Sequence, residues 1–200
     1  MYNKEELKKE HNKQKKIISA HLNTFKNKSE FAQLQEFLFC ILTPQSKAEK
    51  CWEAVSLIPL SNNFNTLEQT LKGKARFHKT KADRIVLALS IWPRIKQYLQ
   101  TTDRKELRNW MANTVKGYGL KEAGHFLRNT GRSENQLAIL DRHILNNLKK
   151  HRAINSIKIK NKKDYLKAEE LALKFSKSTG IPPDDLDLLF WYREHGKYFK

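Results

Sequence analysis

Lys121 follows the run Lys116-Gly117-Tyr118-Gly119-Leu120, so a primary amine stands in the first turn of a helix directly after a glycine-rich reversal. An amine attacks carbon only when unprotonated, and the positive end of a helix dipole disfavours the ammonium form. That placement suits a lysine nucleophile. Asp141 opens Asp141-Arg142-His143 after the apolar run Leu137-Ala138-Ile139-Leu140, 20 residues downstream. Its carboxylate can steady developing positive charge or manage protons, and it is equally good chemistry for a helix N-cap. His143 reads as a structural partner or a phosphate contact ahead of an acid or base. Gly117 and Gly119 let backbone amides approach a phosphate, and Lys116 adds a charge beside them. The bland alternatives are a plain helix–helix turn and a surface lysine paired with Glu122 or Asp141.

The elements that must hold these groups read as helices nearly throughout. Apolar residues recur at helical spacing over 4–25, 30–42, Ala48–Leu57, Leu67–Leu71, Lys81–Trp92, 107–115, 122–128, Asp141–Leu148, Tyr165–Phe175 and Leu186–Tyr192. The amphipathic segments on either side of the glycines predict helix, hairpin, helix over about 107–128. Thr43-Pro44 and Pro59 predict helix ends, Pro93 a break or kink, and Pro182-Pro183 a helix start. Thr102-Asp103 predicts a cap. Gln45, after Pro44, is expected at the start of a helix. Ile157-Lys158-Ile159 is the one extended candidate, too short to make a sheet. The expected class is all-α, a single catalytic domain over 1–200 without repeats or linkers.

The 200 residues carry 39 Lys and Arg against 21 Asp and Glu, a formal charge of +18, which favours a polyanionic partner. Basic residues cluster at Lys8, Lys9, Lys13, Lys15 and Lys16 and again across 149–163. No apolar run approaches the roughly 18 residues of a membrane-spanning helix, and Met1-Tyr2-Asn3-Lys4-Glu5 lacks a secretory signal's apolar centre. An intracellular protein without a membrane partner is expected. Cys40 and Cys51 are too few and too isolated for a four-cysteine cluster. Cys40 is expected to be a buried hydrophobe, and no metal is called for.

Two blocks, Lys116-Gly117-Tyr118-Gly119-Leu120-Lys121-Glu122-Ala123-Gly124 and Leu137-Ala138-Ile139-Leu140-Asp141-Arg142-His143, resemble the type 2 branch of 8-oxoguanine DNA glycosylases. That branch sits within the helix–hairpin–helix DNA glycosylase superfamily. Phe39-Cys40-Ile41-Leu42-Thr43-Pro44-Gln45 and the tail from Leu186 to Lys200 fit it too. The resemblance implies two helical lobes with the active site in the cleft between them. It implies base excision followed by strand scission at the abasic site, with no cofactor. The implied partner is duplex DNA containing 8-oxoguanine, bound by a monomer acting on chromosomal DNA in the cytoplasm.

Carried onto this chain, the resemblance makes Lys121 the nucleophile at the sugar C1′ of a base rotated out of the stack. Asp141 stabilises positive charge at C1′ as the base leaves. Gln45 enters the space vacated by the flipped nucleotide and hydrogen-bonds the orphaned base. Trp191 offers a face for the flipped purine, against the alternative of packing with Leu188 and Leu189. Lys200, the final residue, contributes to recognition of the oxidised base, its terminal carboxylate being a candidate acceptor for the N7 hydrogen. Asp187 is a weaker candidate for that acceptor. Two other readings remain: a glycosylase for a different lesion, which a panel of lesion duplexes separates, and a non-enzymatic helix–hairpin–helix DNA-binding protein, which predicts salt-sensitive binding without base release.

Overall fold

Side-chain caps set where the helices begin. Ser29 accepts from the Ala32 amide, Asn63 from Thr66, Asp103 from Lys105 and Glu106, Asp141 from Ile144, and Asn161 from Asp164. Each satisfies an amide that the first helical turn leaves without a partner. The computed structural model describes residues 4–59 and 63–199. Among them are ten helices and no strand. The all-α expectation holds. Ile157–Ile159 is irregular chain.

The chain forms two compact units, residues 28–126 in one and residues 1–27 with 127–200 in the other. The first contains α2 (Glu30–Leu42), α3 (Ala48–Leu57), α4 (Phe64–Leu71), α5 (His78–Tyr98), α6 (Arg104–Thr114) and the start of α7 (Leu120–Asn129). Its centre is α2, buried almost continuously from Phe37 to Leu42. Phe37 gathers Trp92, Tyr118 and Phe126 at ring separations of 5.2, 5.4 and 5.7 Å. Each aromatic pair is worth about 0.5–1.5 kcal/mol beyond its buried area. Cys40 is buried as expected, and Cys51 is buried with it. On α5 the inward residues are Lys81, Ala82, Ile85, Ala88, Trp92 and Ile95, a helical stripe with a lysine in it.

Two expectations about this unit need correction. Of the break or kink expected at Pro93, the break does not occur: α5 runs on to Tyr98. A proline costs one backbone bond but leaves the preceding turns able to pack, and Trp92 and Ile95 are buried on either side of it. Gln45 does not begin a helix; it lies in a turn with φ of 56°, and α3 starts at Ala48.

The other unit contains α1 (Lys4–Asn23), α8 (Arg142–Lys150), α9 (Lys162–Thr179) and α10 (Pro183–His195), with the end of α7. Helix α10 packs on α1, α8 and α9. Its sequence explains its ends: Pro183 stands at the first helical position, where no amide partner is lost, and Gly196 closes it with a left-handed φ of 68°. Leu186, Leu188, Leu189 and Phe190 are buried along it.

Candidate active site

The hairpin joining α6 to α7 is built from three contacts. Gly117 takes φ of 97°, and a Cβ there would lie 2.6 Å from Arg84 Cδ, so the residue is glycine for backbone and space alike. Tyr118 turns inward, buried, and its hydroxyl donates to the Phe37 carbonyl at 2.8 Å. Burial drives its phenol pKa well above the ordinary value, so it remains a neutral donor. Gly119 stands just before α7, and its amide donates to Glu122 Oε2 at 3.0 Å. That is the return half of a capping box, with the third residue of the helix reaching back.

Lys121 sits on the first turn of α7, about a quarter exposed, with Nζ 3.3 Å from Glu122 Oε1. One glutamate thus fastens the hairpin with one oxygen and touches the amine with the other. The sequence placed Lys121 at a helix N-terminus, and that holds. The ion pair with Glu122, offered there as the bland alternative, is present beside the reactive placement. Gly119's amide is engaged within the chain, so of the two glycines Gly117 offers the amide that no capping bond uses. Lys116 is exposed at the start of the turn.

Gln45 is exposed on its own turn in the same unit. A non-glycine residue in the left-handed region costs about 1–3 kcal/mol and persists only where its surroundings hold it. Both chain neighbours of Gln45 are hydrogen-bonded by Lys81. Its ammonium, buried, donates to the Leu42 carbonyl at 2.7 Å, the Pro44 carbonyl at 2.8 Å and the Ser46 hydroxyl at 2.9 Å. Burial lowers its pKa to about 8, with the thiol of Cys51 opposing that shift and Arg84 adding to it. Cys51 also meets this turn, its thiol donating to the Leu42 carbonyl at 3.2 Å, and burial pushes its pKa up. Sequence reasoning missed Lys81. Its signal was there: a lysine in register with the apolar face of α5.

In the other unit, Asp141 caps α8, Oδ1 accepting from the Ile144 amide at 2.8 Å. The cap expected from sequence is therefore present, and it holds the carboxylate in place while leaving it partly exposed. His143, two residues on, meets Trp191 edge to face at 5.5 Å and His195 at 4.7 Å. His195 stacks on Trp191, rings 3.9 Å apart and 13° from parallel. His143 is thus an aromatic partner of Trp191. One face of the indole is covered from its own helix, by a histidine that the sequence reading did not single out. Asp187 is buried, and its Oδ2 pairs with Arg128 Nη2 at 2.8 Å. That ion pair ties α10 to the end of α7. Lys200 lies outside the described residues. Among the described residues no cluster of His, Cys, Asp and Glu could hold a metal ion, and no helix is long and apolar enough to cross a membrane.

The chain's likeness to known proteins agrees with this geometry. A profile described as 8-oxoguanine DNA glycosylase matches residues 14–181. An 8-oxoguanine DNA glycosylase/AP lyase of Fusobacterium nucleatum is 38% identical, over 82% of this chain and 81% of that protein. The enzyme of the same name from Methanocaldococcus jannaschii is 34% identical, over 88% of this chain and 87% of its own length. The crystal structure of the Methanocaldococcus jannaschii 8-oxoguanine DNA glycosylase superposes with a TM-score of 0.88 at 33% identity, covering 98% of this chain and 95% of that one. A second structure of that enzyme, in complex with a 15mer DNA containing 8-oxoguanine, gives 0.87 at 32% identity, over 97% and 99% of the two chains. The chain belongs to the 8-oxoguanine DNA glycosylase family.

Proposed function

We propose that this protein excises 8-oxoguanine from duplex DNA and cleaves the resulting abasic site, with Lys121 as the nucleophile. The observation that carries the reading is Lys121 itself: a lysine on the first turn after the glycine hairpin, its amine within reach of one carboxylate, in a chain of this family.

The target base must leave the stack before C1′ can be attacked, at a cost of a few kcal/mol. Phosphate contacts from Lys116 and the Gly117 amide offset part of that cost, and Gln45 fills the vacated position. The neutral amine of Lys121 attacks C1′, the glycosidic bond breaks, and the base departs with the electron pair and takes up a proton. The bond from nitrogen to C1′ becomes a Schiff base as the sugar ring opens. Loss of a proton from C2′ then expels the 3′ phosphate by β-elimination. Asp141 supplies negative charge to C1′ in the excision step. Trp191 stacks on the flipped purine by the face opposite His195, a contact of about 1–3 kcal/mol, and Lys200 contributes to recognition of the oxidised base. The protein acts as a monomer, in the cytoplasm where the chromosome is.

Borohydride reduction in the presence of an 8-oxoguanine duplex tests the nucleophile. The wild type should leave a covalent protein–DNA adduct and Lys121→Gln none; an undiminished yield from the variant removes Lys121 from the mechanism.

A further inference from the structure

Lys81 is buried in α5, and among the described residues no carboxylate forms an ion pair with it. Its three N–H groups find three acceptors, at the end of α2 and in the short connection to α3: the carbonyls of Leu42 and Pro44 and the hydroxyl of Ser46. These acceptors straddle Gln45. Pro44 and Ser46 are its two chain neighbours, and Gln45 itself holds φ of 56° with its side chain in solvent. The Ser46 hydroxyl also accepts the Arg76 amide at 2.9 Å, so the segment leading into α5 is tied to the same point.

Core packing alone does not ask for a lysine here. A methionine of similar length would fill the stripe of Ala82, Ile85 and Ala88 without the cost of burying a charge. What an apolar residue cannot supply is three donors aimed at one turn. Without them two inward carbonyls lose a partner, and a left-handed glutamine loses what over-determines it.

We infer that Lys81 is a positioning residue for the recognition of the orphaned base: through its three hydrogen bonds it fixes the turn that presents Gln45. The inference rests on the role given to Gln45 above. Since Lys81 contacts the turn and not the DNA, its effect must pass through Gln45. Burial lowers the Lys81 pKa to about 8, and below that pH the ammonium keeps all three donors.

The experiment compares the full chain with Lys81→Met, Gln45→Ala and the double variant on two substrates, a duplex containing 8-oxoguanine opposite cytosine and a single-stranded oligonucleotide with one abasic site. The single strand has no orphaned base, so adduct trapping on it reads the fold and the Lys121 amine alone. Lys81→Met is expected to trap like wild type on the single strand and to raise KM on the duplex by about tenfold or more, as misplaced positioning groups do. The double variant should be no worse than Gln45→Ala. Equal loss on both substrates, or additive losses in the double variant, overturns the positioning role. A wild-type KM for Gln45→Ala overturns the role of Gln45 itself, a separate result. Should Lys81→Met fail to fold, Ser46→Ala removes one acceptor and leaves the lysine; the same non-additivity with Gln45→Ala supports the inference, and additivity defeats it.

Discussion

At the residue scale, two acidic side chains each fasten the backbone at the start of a helix. Glu122 closes the hairpin through Gly119 while touching the Lys121 amine. Asp141 caps α8, and the proposed mechanism also asks its charge to steady the reacting sugar. The two duties of Asp141 are separable. Asparagine caps a helix about as well as aspartate, its amide oxygen accepting from the Ile144 amide, but it carries no charge. Asp141→Asn should therefore change stability by no more than about 0.5 kcal/mol. Excision should nevertheless fall by about 10²-fold, the scale on which one electrostatic stabiliser matters. Thermal unfolding and single-turnover base release together check this. A loss of stability in step with the loss of rate would show that Asp141 acts only as a cap.

At the scale of elements, the hairpin is where local sequence says most. Gly117 was legible because a reversal between two amphipathic segments requires it, and Lys121 was legible because its place relative to those glycines is a local fact. Gly117→Ala meets two obstacles, the positive φ and the side chain of Arg84, and should cost about 1–3 kcal/mol. Denaturant unfolding reads that cost, and a change within error would mean that the turn relaxes without the glycine. What the sequence hid depends on contacts between distant positions. Pro44 suggested a helix start at Gln45; the turn instead follows from Lys81, nearly 40 residues on, gripping its carbonyls. The stacking of His195 on Trp191 spans one helical turn and was within reach of sequence. The pairing of Asp187 with Arg128 was not, because it joins α10 to the end of α7.

At the scale of the whole molecule, an excess of 18 positive charges on 200 residues makes binding to DNA salt-dependent whatever the site does. The logarithm of the binding constant should fall linearly with the logarithm of salt concentration, with a slope of about −0.9 for each phosphate neutralised. Lys116→Ala should make that slope shallower by about one, weakening lesion and undamaged duplexes alike. An unchanged slope would take Lys116 out of the phosphate contacts. Acid stability belongs to this scale too, because α1, α8 and α10 meet at a network of Glu10, Arg193 and His151. Arg193 Nε donates to both oxygens of Glu10, at 2.9 and 2.8 Å, and its Nη1 donates to His151 Nε2 at 3.0 Å. An imidazole nitrogen that accepts from a guanidinium must be unprotonated. Burial first, then the Arg193 charge, lowers the His151 pKa to about 4. An unfolded histidine takes up its proton near pH 6.5. Between about 6.5 and 4 the unfolded chain therefore binds the proton and the folded chain does not, so stability falls as pH falls through that window. His151→Gln keeps an oxygen that accepts from Arg193 but cannot titrate. Its melting temperature should drop less than that of the wild type from pH 7 to pH 4, and parallel profiles for the two proteins would show that His151 contributes nothing to the acid limb.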